Sequence, residues 1–516
     1  MNPRALSSQL DSSYLNRENA LRPQRIELPQ PRKRAETAEA LALRRRWLIL
    51  GVVLVGSFMA ILDVFIVTQG LPSIKTTLGA GVSDLELVVS AYSLVYAVFL
   101  ITGGRLGDIL DRKRIFLFGM TVFTVASALA GYAPSAPFLV GARALQGLGA
   151  ALMYPQVLSI IQVTFKGSER ALALGLFAAI SGIGAITGNI IGGLLIQLDL
   201  AGLAWRPIFL VNVPIGIFGV LAGFLFLHPS RAERAPKLDL PGVGLISLFL
   251  VSLILPLAEG QQLGWPTWMI LLIFASLPLL GAFVLYERRR TDAGADPLVD
   301  MDLFKHRSFA VGMPLVILYY VGASGLFFTF VLFLQSGLGF SPIDSGLAFA
   351  AINTGFITAS LLGPRLIPRL GTRLLSVAYV LQATGLIWTL FTVASSGTVL
   401  TLYELTAPLI LFGLGAGFAL SPLLGIILSG VPSQDVGAAS GVVSTSMQIG
   451  NTVGISLFGL LFYRFLSSHL SLTPISYLDT FKLTLPLLII PSVSSFIIVF
   501  FLSQHRARQI IHRLEA

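Results

Sequence analysis

Apolar residues run through this chain in long unbroken stretches, not at the spacing of a half-buried helix or strand. The stretches cover residues 47–72, 86–107, 115–132, 137–163, 170–198, 208–228, 241–258, 266–287, 309–338, 342–364, 372–394, 402–431, 436–466 and 482–504. A bilayer-spanning helix needs about 20 mostly apolar residues. Strands of a membrane barrel would alternate apolar and polar positions, and these runs do not. Only segments with internally bonded backbone survive in lipid. The pattern therefore predicts an all-α polytopic membrane protein with 14 transmembrane helices.

The polar residues collect between the stretches. Residues 1–46 read as a disordered basic tail without the apolar core of a signal peptide, and residues 505–516 as a second short tail. Of the 35 Lys and Arg residues, 30 fall on the side that carries both termini. Lys75, Arg206, Arg464 and Lys482 fall on the other side, and Arg143 lies inside a span. By the positive-inside rule both termini face the cytoplasm. That asymmetry accounts for the net charge of +10 without any nucleic-acid partner.

Composition adds exclusions. The 516 residues are 55% hydrophobic and 12% charged, whereas a soluble chain carries about 25% charged residues. There is no cysteine, so disulfides and thiolate metal sites are excluded. No lysine follows a glycine, which removes the phosphate-binding loop of ATP-driven pumps. None of the five histidines lies within an apolar run, His228 standing at the very end of one, and no HExxH occurs, so no metal, cofactor or enzymatic centre is expected.

Two segments repeat about 260 residues apart. Gly104–Arg114 is echoed by Leu366–Arg373, and Ser168–Gly175 by Gln434–Gly441. Both pairs are loop-to-helix junctions on the same side. The chain therefore divides into a six-helix bundle over 47–230, a linker with two inserted helices over 231–308, and a second six-helix bundle over 309–504. Parallel six-helix repeats are a transporter architecture, with the binding site at their interface. The inserted helices are expected to flank this core.

Here the sequence resembles the major facilitator superfamily, and most closely its fourteen-helix drug:proton antiporter branch of multidrug efflux type. The motifs are Leu62-Asp63 to Leu71-Pro72 in the first span, Gly104 to Arg114 between spans two and three, Arg143-Ala-Leu-Gln146-Gly147 in span four, Gly184 to Gly193 in span five, and Trp205 to Gly216 entering span six. The family usually has glycine where this chain has Asp111 and proline where it has Asn189. The first departure predicts looser packing at the loop, and the second puts the bend of span five in question. The resemblance implies a gate built on Asp108, Arg112 and Gly104.

The residues themselves point to coupling groups. Asp63 stands alone in an apolar helix, where a carboxylate costs about 2.5–3.5 kcal/mol on insertion scales unless paired or wet. Helix rise puts it about 12 Å below Leu71, and Arg143 about 9 Å below Pro137, so the two are at matching depth. They are the expected proton-coupling pair. For Asp108 the resemblance implies a gate latch, and a carboxylate facing a helix N-terminus across the two halves, such as that of span 13, would be stabilised there. Gly184, Gly188 and Gly192 recur every fourth residue and form a small-residue ridge, read as part of the gate. Tyr92, Tyr96, Gln146, Asn189, Gln335, Asn353 and Glu404 are candidate cavity-wall groups.

The resulting expectation is a proton-coupled exporter of amphipathic or cationic organic compounds, working by alternating access in a bacterial plasma membrane. Its partners are a small-molecule substrate, protons and membrane lipid, with a monomer as the default assembly. The alternatives are a dedicated exporter of one metabolite, siderophore or lipid, and a proton-coupled importer.

Overall fold

Prolines mark where helices begin, because a first-turn proline loses no hydrogen bond. Pro207, Pro241, Pro342 and Pro474 all stand at such positions in a computed structural model of the chain. The structure describes residues 31–515 apart from 200–201, 231–236, 262, 372, 430, 433 and 470, with side chains over 44–501 except at 82–83, 189, 342–343 and those same gaps. Its long helices are α1 (Pro31–Leu78), α2 (Val82–Leu110), α3 (Arg112–Gly131), α4 (Ala136–Thr164), α5 (Gly167–Leu198), α6 (Pro207–Phe226), α7 (Leu240–Glu259), α8 (Thr267–Asp292), α9 (Arg307–Gly337), α10 (Pro342–Leu370), α11 (Arg373–Ser396), α12 (Leu402–Ser429), α13 (Val436–Leu466) and α14 (Pro474–Glu515). Among the described residues these give 14 segments long and apolar enough to cross a membrane.

The ends differ from the hydropathy boundaries. Helix α1 begins at Pro31, inside the segment read as a disordered tail, and runs six residues past Pro72 to Leu78. Residues 1–30 lie outside the described residues. Helix α14 begins at Pro474 and continues to Glu515, through the second expected tail. Hydropathy reports where the apolar run stops, whereas a helix continues until a backbone signal stops it.

The repeat is visible in how helices pair. In the first half α2 packs on α4, α4 on α3 and α3 on α6; in the second, α10 packs on α12, α12 on α11 and α11 on α14. The pairing of α9 with α13 is matched by glycines of α5 that meet α1. The halves meet along two equivalent seams, α2 with α13 and α10 with α5. Gly441 abuts the backbone of Leu100 and Ile101 on the first seam, and Gly175 abuts Ser360 and Pro364 on the second. These two glycines are the last residues of the echoed segments.

The inserted helices pack on each other, and α7 lies against α2 and α13 over one seam. Ala97, Val98, Ile101, Ile246, Phe249, Leu250, Phe283, Leu298 and Val299 form one apolar cluster there. This places α7 and α8 on the flank of the twelve other helices.

Candidate functional site

Helices α1, α3, α4 and α6 bring their polar residues to one point in the first half. Asp63 is fully buried and ion-paired with Arg143, itself 1% exposed. Asp63 Oδ1 also accepts from Gln146 Nε2 at 2.7 Å and from Asn212 Nδ2 at 3.1 Å. Arg143 donates to Gln146 Oε1 at 2.7 Å and, through Nε, to the carbonyl of Val88 at 3.0 Å. Gln146 donates in turn to Ser127 Oγ at 2.8 Å. Helix periodicity explains the convergence within α4, since Arg143 and Gln146 are three residues apart on one face.

Aromatic rings close this network. The Arg143 guanidinium lies 4.3 Å from the Tyr92 ring centre and 5.8 Å from that of Phe209. Tyr92 stacks on Tyr96 at 5.8 Å, Tyr96 meets Tyr154 edge-on at 6.1 Å, and Tyr154 meets Phe177 at 5.8 Å. The row leads from the ion pair on α1 and α4 across α2 to α5. Asn353 of α10 lies at the α5 seam beside Gly182, while its amide donates to the Phe349 carbonyl of its own helix.

A second site joins the halves at the end bearing the loop between α2 and α3. Asp108 is fully buried and accepts from the main-chain amides of Gly437 and Ala438, each at 3.0 Å. These amides belong to the first turn of α13, which offers unsatisfied donors and the positive end of the helix dipole. Arg112 donates to the same carboxylate at 2.7 Å and to Ser230 Oγ at 3.1 Å. Gly104 stands against the Gly437 carbonyl and 3.1 Å from Gly441 Cα, measured from where a Cβ would be. Around this contact, Ser159 Oγ meets the Val436 carbonyl at 3.5 Å and Gln162 donates to the Leu428 carbonyl. Arg105 lies 3.6 Å from Asp435 and donates to the Pro297 carbonyl at 2.6 Å. Burial holds the Asp435 carboxyl above the ordinary carboxylate range, against the opposing pull of Arg105.

Several expected wall groups have hydrogen-bond partners of their own. Gln146 belongs to the Asp63 network, with both its amide groups engaged there. Glu404 accepts from the Thr401 amide at 2.8 Å, the Thr401 hydroxyl at 2.9 Å and Ser396 at 3.0 Å, so it caps the start of α12. Gln335 lies in a π-helical turn at the end of α9 and donates to Ser345 of α10 at 2.6 Å. The side chain of Asn189 lies outside the described residues, and the backbone of α5 is helical through it. Gly184, Gly188 and Gly192 meet Ile61, Leu62, Phe65, Ile66 and Gln69 of α1, which makes the ridge a contact inside the first half. The glycines at the seams between halves are Gly104, Gly175, Gly182, Gly437 and Gly441.

Asp111 also differs from expectation. Its φ of 148° is a backbone conformation that favours glycine. The carboxylate offsets that strain: Oδ1 accepts from the Arg114 amide at 3.0 Å, capping α3, and Oδ2 from the Ser230 amide at 2.9 Å.

Comparison with known proteins follows the same lines. Over 426 residues the chain is 36% identical to the probable actinorhodin transporter of Streptomyces coelicolor, covering 82% of this chain and 74% of the relative. It is 35% identical over 417 residues to a puromycin resistance protein of Streptomyces alboniger, covering 80% and 81%. It is 32% identical over 418 residues to the multidrug resistance protein Stp of Mycobacterium tuberculosis, covering 80% and 75%. Among solved structures, the human organic anion transporter MFSD10 has the same fold, with a TM-score of 0.61 at 15% identity over 88% of this chain and 99% of that one. The family model of the Major Facilitator Superfamily matches residues 53–455, and the chain belongs to that superfamily, with the fourteen helices of its drug:proton antiporter type.

Proposed function

We propose that this protein is a proton-coupled exporter of amphipathic or cationic organic compounds, working by alternating access between its two six-helix halves. The observation that carries the reading is the buried Asp63 network. A carboxylate deep in a span whose charge is balanced by one guanidinium is poised to exchange a proton when that partner moves. The relatives named for drug resistance and antibiotic transport support export. With the basic loops in the cytoplasm, the latch at Asp108 closes the cytoplasmic end, and Asp63 meets protons from outside. Protonation there neutralises Asp63 and frees Arg143 to rearrange. The aromatic row from Tyr92 to Phe177 then offers flat apolar surface to a substrate ring system.

A dedicated exporter of one aromatic metabolite is the second reading. The relative named as a probable actinorhodin transporter favours it, as does the aromatic row. The test is transport by the purified protein in liposomes with an imposed pH gradient, using cationic, neutral and anionic aromatic compounds. Gradient-driven movement of several unrelated compounds supports polyspecific export; movement of one class supports the dedicated reading. Transport indifferent to the gradient contradicts both.

A further inference from the structure

Away from Asp63, two more carboxylates are buried together. Asp239, just before α7, and Glu287, near the end of α8, are 2% and 0% exposed. They converge on Gly242: a Cβ there would touch Glu287 Oε1 and lie 2.7 Å from Asp239 Oδ2. Among the described residues neither of these two oxygens accepts a hydrogen bond. Each side chain is held by its other oxygen. The Tyr286 hydroxyl donates to Asp239 Oδ1 at 3.0 Å, and the Val299 amide to Glu287 Oε2 at 3.2 Å.

Among the described residues, one cation, Arg290, lies against this pair, on its Asp239 side. Arg290 Nε is 3.2 Å from Asp239 Oδ2, and the same guanidinium donates to the Tyr286 hydroxyl and the Asp296 carbonyl. Among the described residues, other charged groups near this region are already engaged. The Asp296 carboxylate accepts from the Lys237 amide, Asp300 caps Asp302, and Arg105 pairs with Asp435. Two carboxylates against one guanidinium leave a net negative charge away from water, where charge is costly. Two ionised carboxylates converging on one point repel. One proton between them removes the excess charge and turns the repulsion into a strong O–H···O⁻ hydrogen bond.

We propose that Asp239 and Glu287 hold one shared proton, and that this proton braces the closed latch. The connection is short. Glu287 fixes Val299, and two residues away the Pro297 carbonyl anchors Arg105, which faces Asp435 at the start of α13. Loss of the proton drives the carboxylates apart, loosens the 297–299 segment and frees Arg105. The inserted helices thus carry a proton site of their own, separate from the Asp63 network. With this end in the cytoplasm, an acid cytoplasm holds the latch shut.

The test uses a single reporter in this cysteine-free chain. Ser159→Cys places a thiol at the buried latch, and its maleimide labelling rate in purified full-length protein, divided at each pH by that of a free thiol because the thiolate is the reacting form, reports opening. The background carries Asp63→Asn, so a failure of the coupling mechanism does not affect the result, and it keeps the Arg105–Asp435 pair through which the proposal acts. Labelling is expected to rise about fivefold or more from acid to alkaline pH. Glu287→Gln, which stays neutral and can donate to Asp239, is expected to label slowly at all pH values. The infrared C=O stretch of a protonated carboxylic acid should titrate over the same range and vanish in Glu287→Gln. Asp239→Asn serves as the second variant should Glu287→Gln fold poorly. A flat pH profile with Glu287 present, or a step that survives both substitutions, overturns the proposal.

Discussion

Asp108 and Gly437 are 329 residues apart in sequence, yet the carboxylate of one accepts the amide hydrogen of the other at 3.0 Å. That bond and its neighbour from Ala438 hold a charge of the first half at the N-terminus of a helix of the second. A charge-assisted hydrogen bond contributes about 1.5–3 kcal/mol, enough to bias the two halves and still release.

Asp108→Asn keeps the size of the side chain and removes its charge. The open-latch population is expected to rise about tenfold or more, and turnover to fall, while equilibrium substrate binding stays near normal. Spin-label distances across α2 and α13 measure the population. An unchanged distance distribution with lost binding would assign Asp108 another role.

The glycines separate gating from packing. Gly104→Ala puts a methyl group against the Gly437 carbonyl, so it should favour the open latch with little loss of thermal stability. Gly188→Ala puts one 2.8 Å from the Leu62 carbonyl inside the first half. Overpacking there should cost about 1–3 kcal/mol of stability and leave the latch equilibrium unshifted. Thermal melts beside the same spin-label distances decide the matter, and a shared phenotype contradicts the division.

At Asp111 strain and capping oppose each other. Asp111→Gly relieves the backbone but loses the bonds to Arg114 and Ser230, so stability should stay within about 1 kcal/mol. Asp111→Ala keeps the strain and loses both bonds, and should be the less stable by about 1–2 kcal/mol. Denaturation of the two variants side by side is the measurement; equal stability would mean the φ of 148° is not strained.

How far the sequence could be read follows from the physics of each residue. Spans are legible because lipid demands continuous apolar helices. Asp63 and Arg143 stand out because charge is rare in such runs. Asn212, Ser127 and Tyr154 do not, since neutral polar and aromatic residues inside spans are common and only the fold shows which ones converge. Glu404 fell inside an apolar run, but Thr401-x-x-Glu404 is a capping box, a local signal that hydropathy hides. The glycine ridge of α5 was legible as a close contact. Which helix it meets depends on the tertiary arrangement. Arg105, Asp435, Asp239 and Glu287 lie near span ends, where charges are ordinary, so burial alone distinguishes them.

The central claim is that the proton exchanged in transport binds at Asp63. Asp63→Asn fixes the neutral form in place, with the amide still within reach of Gln146 and Asn212. The most direct measurement is proton movement coupled to substrate movement in proteoliposomes, wild type beside Asp63→Asn. The account predicts that the variant folds and exchanges substrate across the membrane, and that it neither moves protons with substrate nor accumulates substrate against a gradient. A folded Asp63→Asn protein that still pumps substrate in response to a pH gradient contradicts it.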